Sequence, residues 1–301
     1  MKTAEVTKPI FKYRSRIPET KPYKLNCIPS DRVTTEDKVV TSKIHTTAVI
    51  EEGAVIGAGC TIGPYCHVDR DVRLGDNNVL HSHVSLVGST RIGSANEIFP
   101  YACIGGRTED MKFKYGSVTH VEIGNGNVFR EYCTVNSATD DGAATRIAHN
   151  NTFLSDSHVG HDCKIGSHIV LGCGSKLAGH VEIDDYATVN GMTGVIQFVR
   201  LGKYSFIGAI NKVTKDILPF MIAEGNPSVI RVVNTIGLER RGFDVERVRR
   251  IKSAMRDLFK SSTSLQGAAQ TLADARPDDV DLREIASFIA GSRTGIAKVG
   301  T

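Results

Sequence analysis

Apolar residues open successive blocks of six along most of the chain. From Ile44 the blocks read IHTTAV, IEEGAV, IGAGCT, IGPYCH, VDRDVR, LGDNNV, LHSHVS, LVGSTR, IGSANE and IFPYAC, in one phase to Cys103. A small or β-branched residue sits four places after each opener. A short-period repeat of this kind predicts a coiled parallel β-structure whose rungs stack, so that residues one full coil apart become neighbours. The phase breaks over 104–120, IGGRTEDMKFKYGSVTH, and resumes one residue shifted at Ile123. An insertion has therefore looped out of the coil, and scaffolds of this kind carry function on such loops. The block DGAATR lacks its apolar opener and predicts a second excursion; from Ile147 the period runs to Val213.

Pro219 closes the repeat. Beyond it, Asp244 is a fitting N-cap for VERVRRIKSAMRDLF, where Val245, Val248, Ile251, Met255, Leu258 and Phe259 form one apolar stripe. Two further helices are expected around Leu265–Ala275 and Val280–Ala290, separated by Pro277. The predicted organisation is an extended or disordered arm over 1–43, a β-helix over 44–218 with its loop at about 104–120, and a C-terminal helical domain over 219–301. That domain would cover the exposed edge of the last rung. The fold class is mainly β: a parallel β-helix of hexapeptide repeats with a small helical domain.

Composition agrees with thin rungs and tight turns: 29 glycines and no tryptophan in 301 residues. The net charge of +4 is modest and no run of like charge suggests nucleic-acid binding. No apolar run approaches the roughly 18 residues of a membrane span, so a soluble protein is expected. Seven cysteines without a CxxC pair argue against a zinc cage or a disulfide framework. Cys60, Cys66, Cys133 and Cys163 fall where the repeat wants a small buried residue, as core thiols in a reducing cytosol. The arm's acidic residues, Glu5, Glu19, Asp31, Glu36 and Asp37, count against an organelle transit peptide.

The stretch Phe153–Ile183 holds three histidines, His158, His161 and His180. If three hexapeptides make one coil, residue i lies over i+18. His161, Gly179 and Gln197 then share one column, and Asp162, His180 and Phe198 the next. An imidazole titrates near neutrality and suits a general base, and Asp162 beside it would hold the tautomer that leaves one nitrogen free. Gly179, one rung away, offers a backbone N–H unobstructed by a side chain to a developing oxyanion. These are the parts of an acyl-transfer site. The rival reading is metal: three histidines can hold Zn²⁺ with an open position, as in zinc-dependent carbonic anhydrases built on this repeat. Against it, the HxxH at His158 and His161 has no cysteine or carboxylate-rich surround, and His81 and His83 lie coils away.

The run HVGHDCKIG from His158, LAGHV from Leu177 and NGMTGVIQF from Asn190 closely resemble the UDP-N-acetylglucosamine O-acyltransferase family that begins lipid A synthesis in Gram-negative bacteria. EDMKF at Glu109, IAEGNP at Ile222, GLERRGF at Gly237 and, more loosely, SFIAGSRTGI at Ser287 extend the resemblance over roughly Ile44–Ile296. The resemblance implies a left-handed β-helix, where the usual crossover rule would favour the right hand. It implies a cytoplasmic homotrimer with sites between subunits, and transfer of a 3-hydroxyacyl group from acyl carrier protein to the glucosamine 3-hydroxyl of a UDP-sugar, with no metal or organic cofactor. By motif, His161 is the base, Asp162 its partner and Gly179 the oxyanion donor, while His158, His180 and Gln197 line the sugar and acyl pocket. Asp110 and Lys112 match the family's sugar-contacting pair. Asn234, Arg240 and Arg241 match residues that meet the nucleotide or the donor's phosphopantetheine, for which the arginine fork is suited. The helix after Asp244 carries Arg247, Arg249, Arg250, Lys252 and Arg256, a basic face that would steer the acidic carrier.

Three positions depart from the family's pattern. Ile196 and Ile236 stand where histidine and glutamate are usual, and Ser137 where an arginine is usual. Each lost hydrogen bond to substrate is worth about 0.5–3 kcal/mol. Ala209 lies where the family sets acyl length, often with glycine, so a shorter groove is expected. The alternatives are an acyltransferase of the same fold using another nucleotide sugar or an acyl-CoA, and a non-catalytic trimeric scaffold, against which the histidine column with Asp162 argues.

Overall fold

A computed structural model describes residues 41–300. Lys43–Ile44 is already the first strand, so all but the last residues of the expected 1–43 arm lie outside the described residues. From there the chain winds through short strands, most of them two residues long, into three sheets of 11, 9 and 8 strands, parallel but for the last strand of the first. The repeat dictates this. One residue of each strand pair turns inward and is buried, as at Leu171, Leu177 and Ile183, while its predecessor faces out. The turns between strands place a residue in the left-handed region, among them Asp162 (φ 60°), His180 (φ 60°) and Phe198 (φ 66°). That conformation costs a non-glycine residue about 1–2 kcal/mol and is held here by the ladders on either side.

A buried asparagine ladder measures the coil. Asn96 N–H donates to Asn78 Oδ1 across 18 residues, Asn127 N–H to Asn96 Oδ1 across 31, Asn151 N–H to Asn127 Oδ1 across 24, and Ile169 N–H to Asn151 Oδ1 across 18. The regular coil is thus 18 residues, and the two excursions add 13 (31 − 18) and 6 (24 − 18) without disturbing the stack. Inside, Phe129 and Phe153 stack with ring centroids 4.7 Å apart. Cys60, Cys66, Cys133 and Cys163 are buried, and burial pushes the thiols of Cys133 and Cys163 up to about 12, which leaves them packed and unreactive.

The three outward faces differ in kind. Along the first sheet the outward row includes Thr152, Val170, Thr188 and Phe206, uncharged and β-branched or aromatic. Along the second it runs Thr134, His158, Lys176, Gly194 and Lys212. Along the third it runs Arg73, Arg91, Glu122, Arg146, Lys164, Glu182 and Arg200.

Residues 219–301 are not helical from their start. Met221–Gly225 adds a parallel strand to Phe206–Ile207 and turns back antiparallel into Ser228–Val233. Pro219 ends the six-residue period but not the sheet. The last rung is finished by this hairpin and by the tail, which bridges Asp216 to Ile296 and Ile230 to Val299. Buried Asp216 fixes the tail by accepting from the hydroxyls of Ser292 and Thr294.

Four helices follow: α1 Thr235–Arg240, α2 Val245–Lys260, α3 Leu265–Ala275 and α4 Val280–Ala290. Asp244 caps α2, accepting from Arg247 N–H at 2.7 Å. The stripe is buried at Val248, Ile251, Met255 and Leu258, whereas Val245, in the first turn, is exposed. The basic face of α2 is largely answered within the chain. Arg247 makes a two-pronged pair with Asp281, Arg249 meets Glu246, and Arg250 lies 3.6 Å from Asp279.

Candidate active site

The 18-residue rule places the predicted columns together. His180 N–H donates to His161 O, and Phe198 N–H to Gly179 O. His180 stacks on Phe198 (centroids 4.7 Å) and meets the His161 ring edge-on at 5.2 Å. The His161 ring lies directly over Gly179, where an added Cβ would fall 2.2 Å from its Cε1 and Nε2. Only glycine fits beneath the imidazole. Among the described residues the Gly179 N–H meets no acceptor, so it remains available to a ligand.

His161 is 6% exposed and oriented from one side. Its Nδ1 is 2.9 Å from Asp162 Oδ2. An ionised carboxylate only accepts, so Nδ1 carries the proton and Nε2 keeps a lone pair. Asp162 is itself fixed. Its Oδ2 also accepts from Thr139 N–H at 3.1 Å, and its backbone N–H donates to Thr145 Oγ1 at 2.8 Å. His180 Nε2 stands 3.8 Å from the same carboxylate oxygen. One ligating atom each of His161, Asp162 and His180 lie within 4.8 Å of one another, the grouping a metal site would require; here the carboxylate is engaged by His161 Nδ1.

A groove of about 1020 Å³ runs across the second sheet from this corner, lined by Asp110, Lys112, His158, His161, Gly179 and Gln197 among others. His158 binds the Thr134 hydroxyl through Nδ1 at 2.8 Å, and burial lowers its basicity. Asp110 and Lys112 come from the first excursion, where Asp110 Oδ1 accepts from Lys112 N–H at 2.9 Å. Ile196 lines the same groove, 41% exposed.

The remaining predicted residues stand elsewhere on the chain. Asn234, Arg240 and Arg241 line a second pocket of about 510 Å³ with Tyr186, Tyr204 and the exposed Ile236. Arg241 lies over the Tyr186 ring at 5.0 Å. Asn234 is the N-cap of α1; its Oδ1 accepts from Gly237 N–H and its Nδ2 donates to Tyr204 O. Ala209 is exposed at the corner between the first and second sheets and lines neither pocket. Four further residues, Thr108, Thr139, Lys176 and Lys212, join the site although no sequence motif singles them out. Thr139 lies two residues after Ser137, in the block VNSATD just before the one that lacks its opener, and its place at the edge of that break is the one available signal.

A stack of hexapeptide coils with an imidazole over a glycine N–H, at the head of a long groove, defines an acyltransferase of the hexapeptide-repeat class. Comparisons with known proteins specify it. Residues 53–88 match the model for bacterial transferase hexapeptide repeats, and 216–297 match the second domain of UDP-N-acetylglucosamine O-acyltransferase. The acyl-[acyl-carrier-protein]–UDP-N-acetylglucosamine O-acyltransferase of Campylobacter concisus is 40% identical over 230 residues, 76% of this chain and 87% of that protein. The crystal structure of the Francisella novicida UDP-N-acetylglucosamine acyltransferase superposes with a TM-score of 0.82 at 38% identity, over 85% of this chain and 94% of that one. The Arabidopsis UDP-N-acetylglucosamine acyltransferase gives 0.76 at 29% identity, over 85% and 100%. The chain belongs to the UDP-N-acetylglucosamine O-acyltransferase family, and its coil is the left-handed parallel β-helix of that family.

Proposed function

We propose that the chain transfers a 3-hydroxyacyl group from acyl carrier protein to the 3-hydroxyl of UDP-N-acetylglucosamine, the first step of lipid A biosynthesis. The observation that carries this reading is the His161 ring seated over Gly179 with its Nδ1 held by Asp162. The free Nε2 takes the sugar hydroxyl proton as the oxygen attacks the thioester carbonyl. The Gly179 N–H receives the charge that develops on the carbonyl oxygen. Collapse breaks the C–S bond, and His161 returns its proton to the departing phosphopantetheine thiolate, leaving a free thiol. Asp162 stabilises the imidazolium between the two transfers. Asp110, Lys112, His158, His180 and Gln197 position the sugar and acyl groups.

The working enzyme is a cytoplasmic homotrimer. In favour of the trimer, the first sheet's outward row, Val170, Thr188 and Phe206 among it, is suited to packing against another copy, in contrast to the charged third sheet. Assembly would also bring the nucleotide pocket with Asn234, Arg240 and Arg241, and the Ala209 corner, to the groove of a neighbouring subunit. Carrier docking falls to Lys252, Arg256 and Lys260 with Arg240 and Arg241, since Arg247, Arg249 and Arg250 of α2 have carboxylates beside them.

Incubation with 3-hydroxyacyl carrier proteins of several lengths and a panel of UDP-sugars, followed by mass spectrometry, tests the reading. Acyl-UDP-N-acetylglucosamine is expected, with turnover lost by about 10²–10⁴-fold in His161→Ala. No product from any pair would refute the function, and an active His161→Ala variant would refute the base.

A further inference from the structure

Both excursions from the 18-residue coil end at the base. The first carries Thr108, and the second carries Thr139; the two hydroxyls are buried and 2.9 Å apart. Thr139 Oγ1 is also 3.1 Å from His161 Nδ1, and Thr108 Oγ1 accepts from Asp110 N–H at 3.1 Å. A second tie joins the excursions, from the Thr119 hydroxyl to Ser137 Oγ at 3.0 Å. The donors can be ordered. Asp162 draws the proton to Nδ1, and the Thr139 oxygen accepts from the same N–H as a second acceptor that adds to the preference, so its own proton points to Thr108. Thr108 then accepts from both sides, from Thr139 and from the backbone that leads into Asp110 and Lys112. The continuous path runs from ring nitrogen to sugar-binding loop, and each buried hydroxyl in it would lose one of its two partners if a neighbour were removed.

We infer that Thr139 and Thr108 are positioning residues, a hydroxyl relay that holds the His161 tautomer and couples it to the loop bearing Asp110 and Lys112. The inference rests on the reading of His161 as base. It assigns different work to the two threonines. Thr139 touches the ring and governs its state; Thr108 is one bond removed and governs the loop. The Ser137 position, where an arginine is usual in the family, becomes a cross-brace between the excursions.

The test uses the full chain with UDP-N-acetylglucosamine and a 3-hydroxyacyl carrier protein. Thr139→Val should lower kcat about tenfold, and Thr139→Ser should restore it. Thr108→Val should raise the acceptor KM about fivefold, with a smaller loss in kcat than Thr139→Val. Nitrogen-15 NMR of histidine-labelled protein, with the His161 signals assigned by their loss in His161→Ala, should show one Nδ1–H tautomer in the wild type and a mixture in Thr139→Val. An unchanged tautomer and kcat in folded Thr139→Val would overturn the relay. If Thr139→Val does not fold, an unaltered acceptor KM in Thr108→Val overturns it alone. Absence of wild-type turnover would instead refute the proposed function, and the tautomer measurement would still judge the relay.

Discussion

Two grooves of nearly equal size lie on neighbouring faces of the same coil, about 1020 Å³ on the second sheet and about 1010 Å³ on the third. Rung for rung they are built alike, and they differ in what their polar groups already do. On the later rungs of the third sheet, from Glu122 on, the outward charges answer one another: Arg146 to Glu122 at 2.9 Å, Lys164 to Glu182 at 2.9 Å, and Arg200 to the same Glu182 at 3.3 Å. On the second sheet, His161 is held through one nitrogen only, the Gly179 N–H has no acceptor among the described residues, and Gly194 leaves open space between Lys176 and Lys212. Depth does not distinguish a site on this scaffold; hydrogen-bonding capacity held in reserve does.

The sharpest way to break the contrast is Gly179→Ala. A Cβ there collides with the His161 ring, which must move and lose its line to the substrate. Turnover is expected to fall by about 10²–10³-fold with the coil retained by circular dichroism. Wild-type rates would show that the ring does not work from this position.

The third-sheet groove has one uneasy member, Asp184, where neighbouring coils place Gly166 and Gly202. Burial pushes its carboxyl up to about 6, with Arg200 and Lys203 pulling the other way. A carboxyl raised above its unfolded value favours the protonated folded state, so its cost is absent below pH ~4 and grows as pH rises through ~6. Asp184→Asn should therefore stabilise the protein by about 1–3 kcal/mol at pH 8 and negligibly near pH 3.5. Equal denaturation midpoints for mutant and wild type at pH 8 would remove Asp184 as the exception in that groove.

The smallest effect is expected at Arg146→Gln. Its pair with Glu122 is about half-exposed, and such pairs contribute about 0–1 kcal/mol. Turnover should be unaltered and the unfolding midpoint should shift by no more than that. A large loss of activity would mean that the third-sheet groove has a role in the reaction.

The sequence is most informative where its period is strict. Apolar openers mark the inward positions, and adding 18 to His161 leads to Gly179 by arithmetic alone. It is least informative where the period fails. The excursions can be located from the broken phase, but not their meeting, because Thr108 and Thr139 are 31 residues apart and belong to no column of the regular repeat. Pro219 ends the hexapeptides and so hides the continuation of the sheet, although MIAEGNPSVIRVV makes a hairpin by ordinary strand alternation. The partners of the α2 arginines, Asp279 and Asp281, lie at another helix beyond a loop, and tertiary packing alone brings them near.

The asparagine ladder has a consequence for mechanics. A rung is held chiefly by the rungs above and below it, so cooperativity runs along one axis and loosening begins at the ends. The rung of His161 is an interior one, with coils stacked on one side and a finishing hairpin some rungs away on the other. The geometry of His161, Asp162 and Gly179 is thereby insulated from end-fraying, while lengthening a corner loop changes what the groove can grasp without changing what holds the coil together.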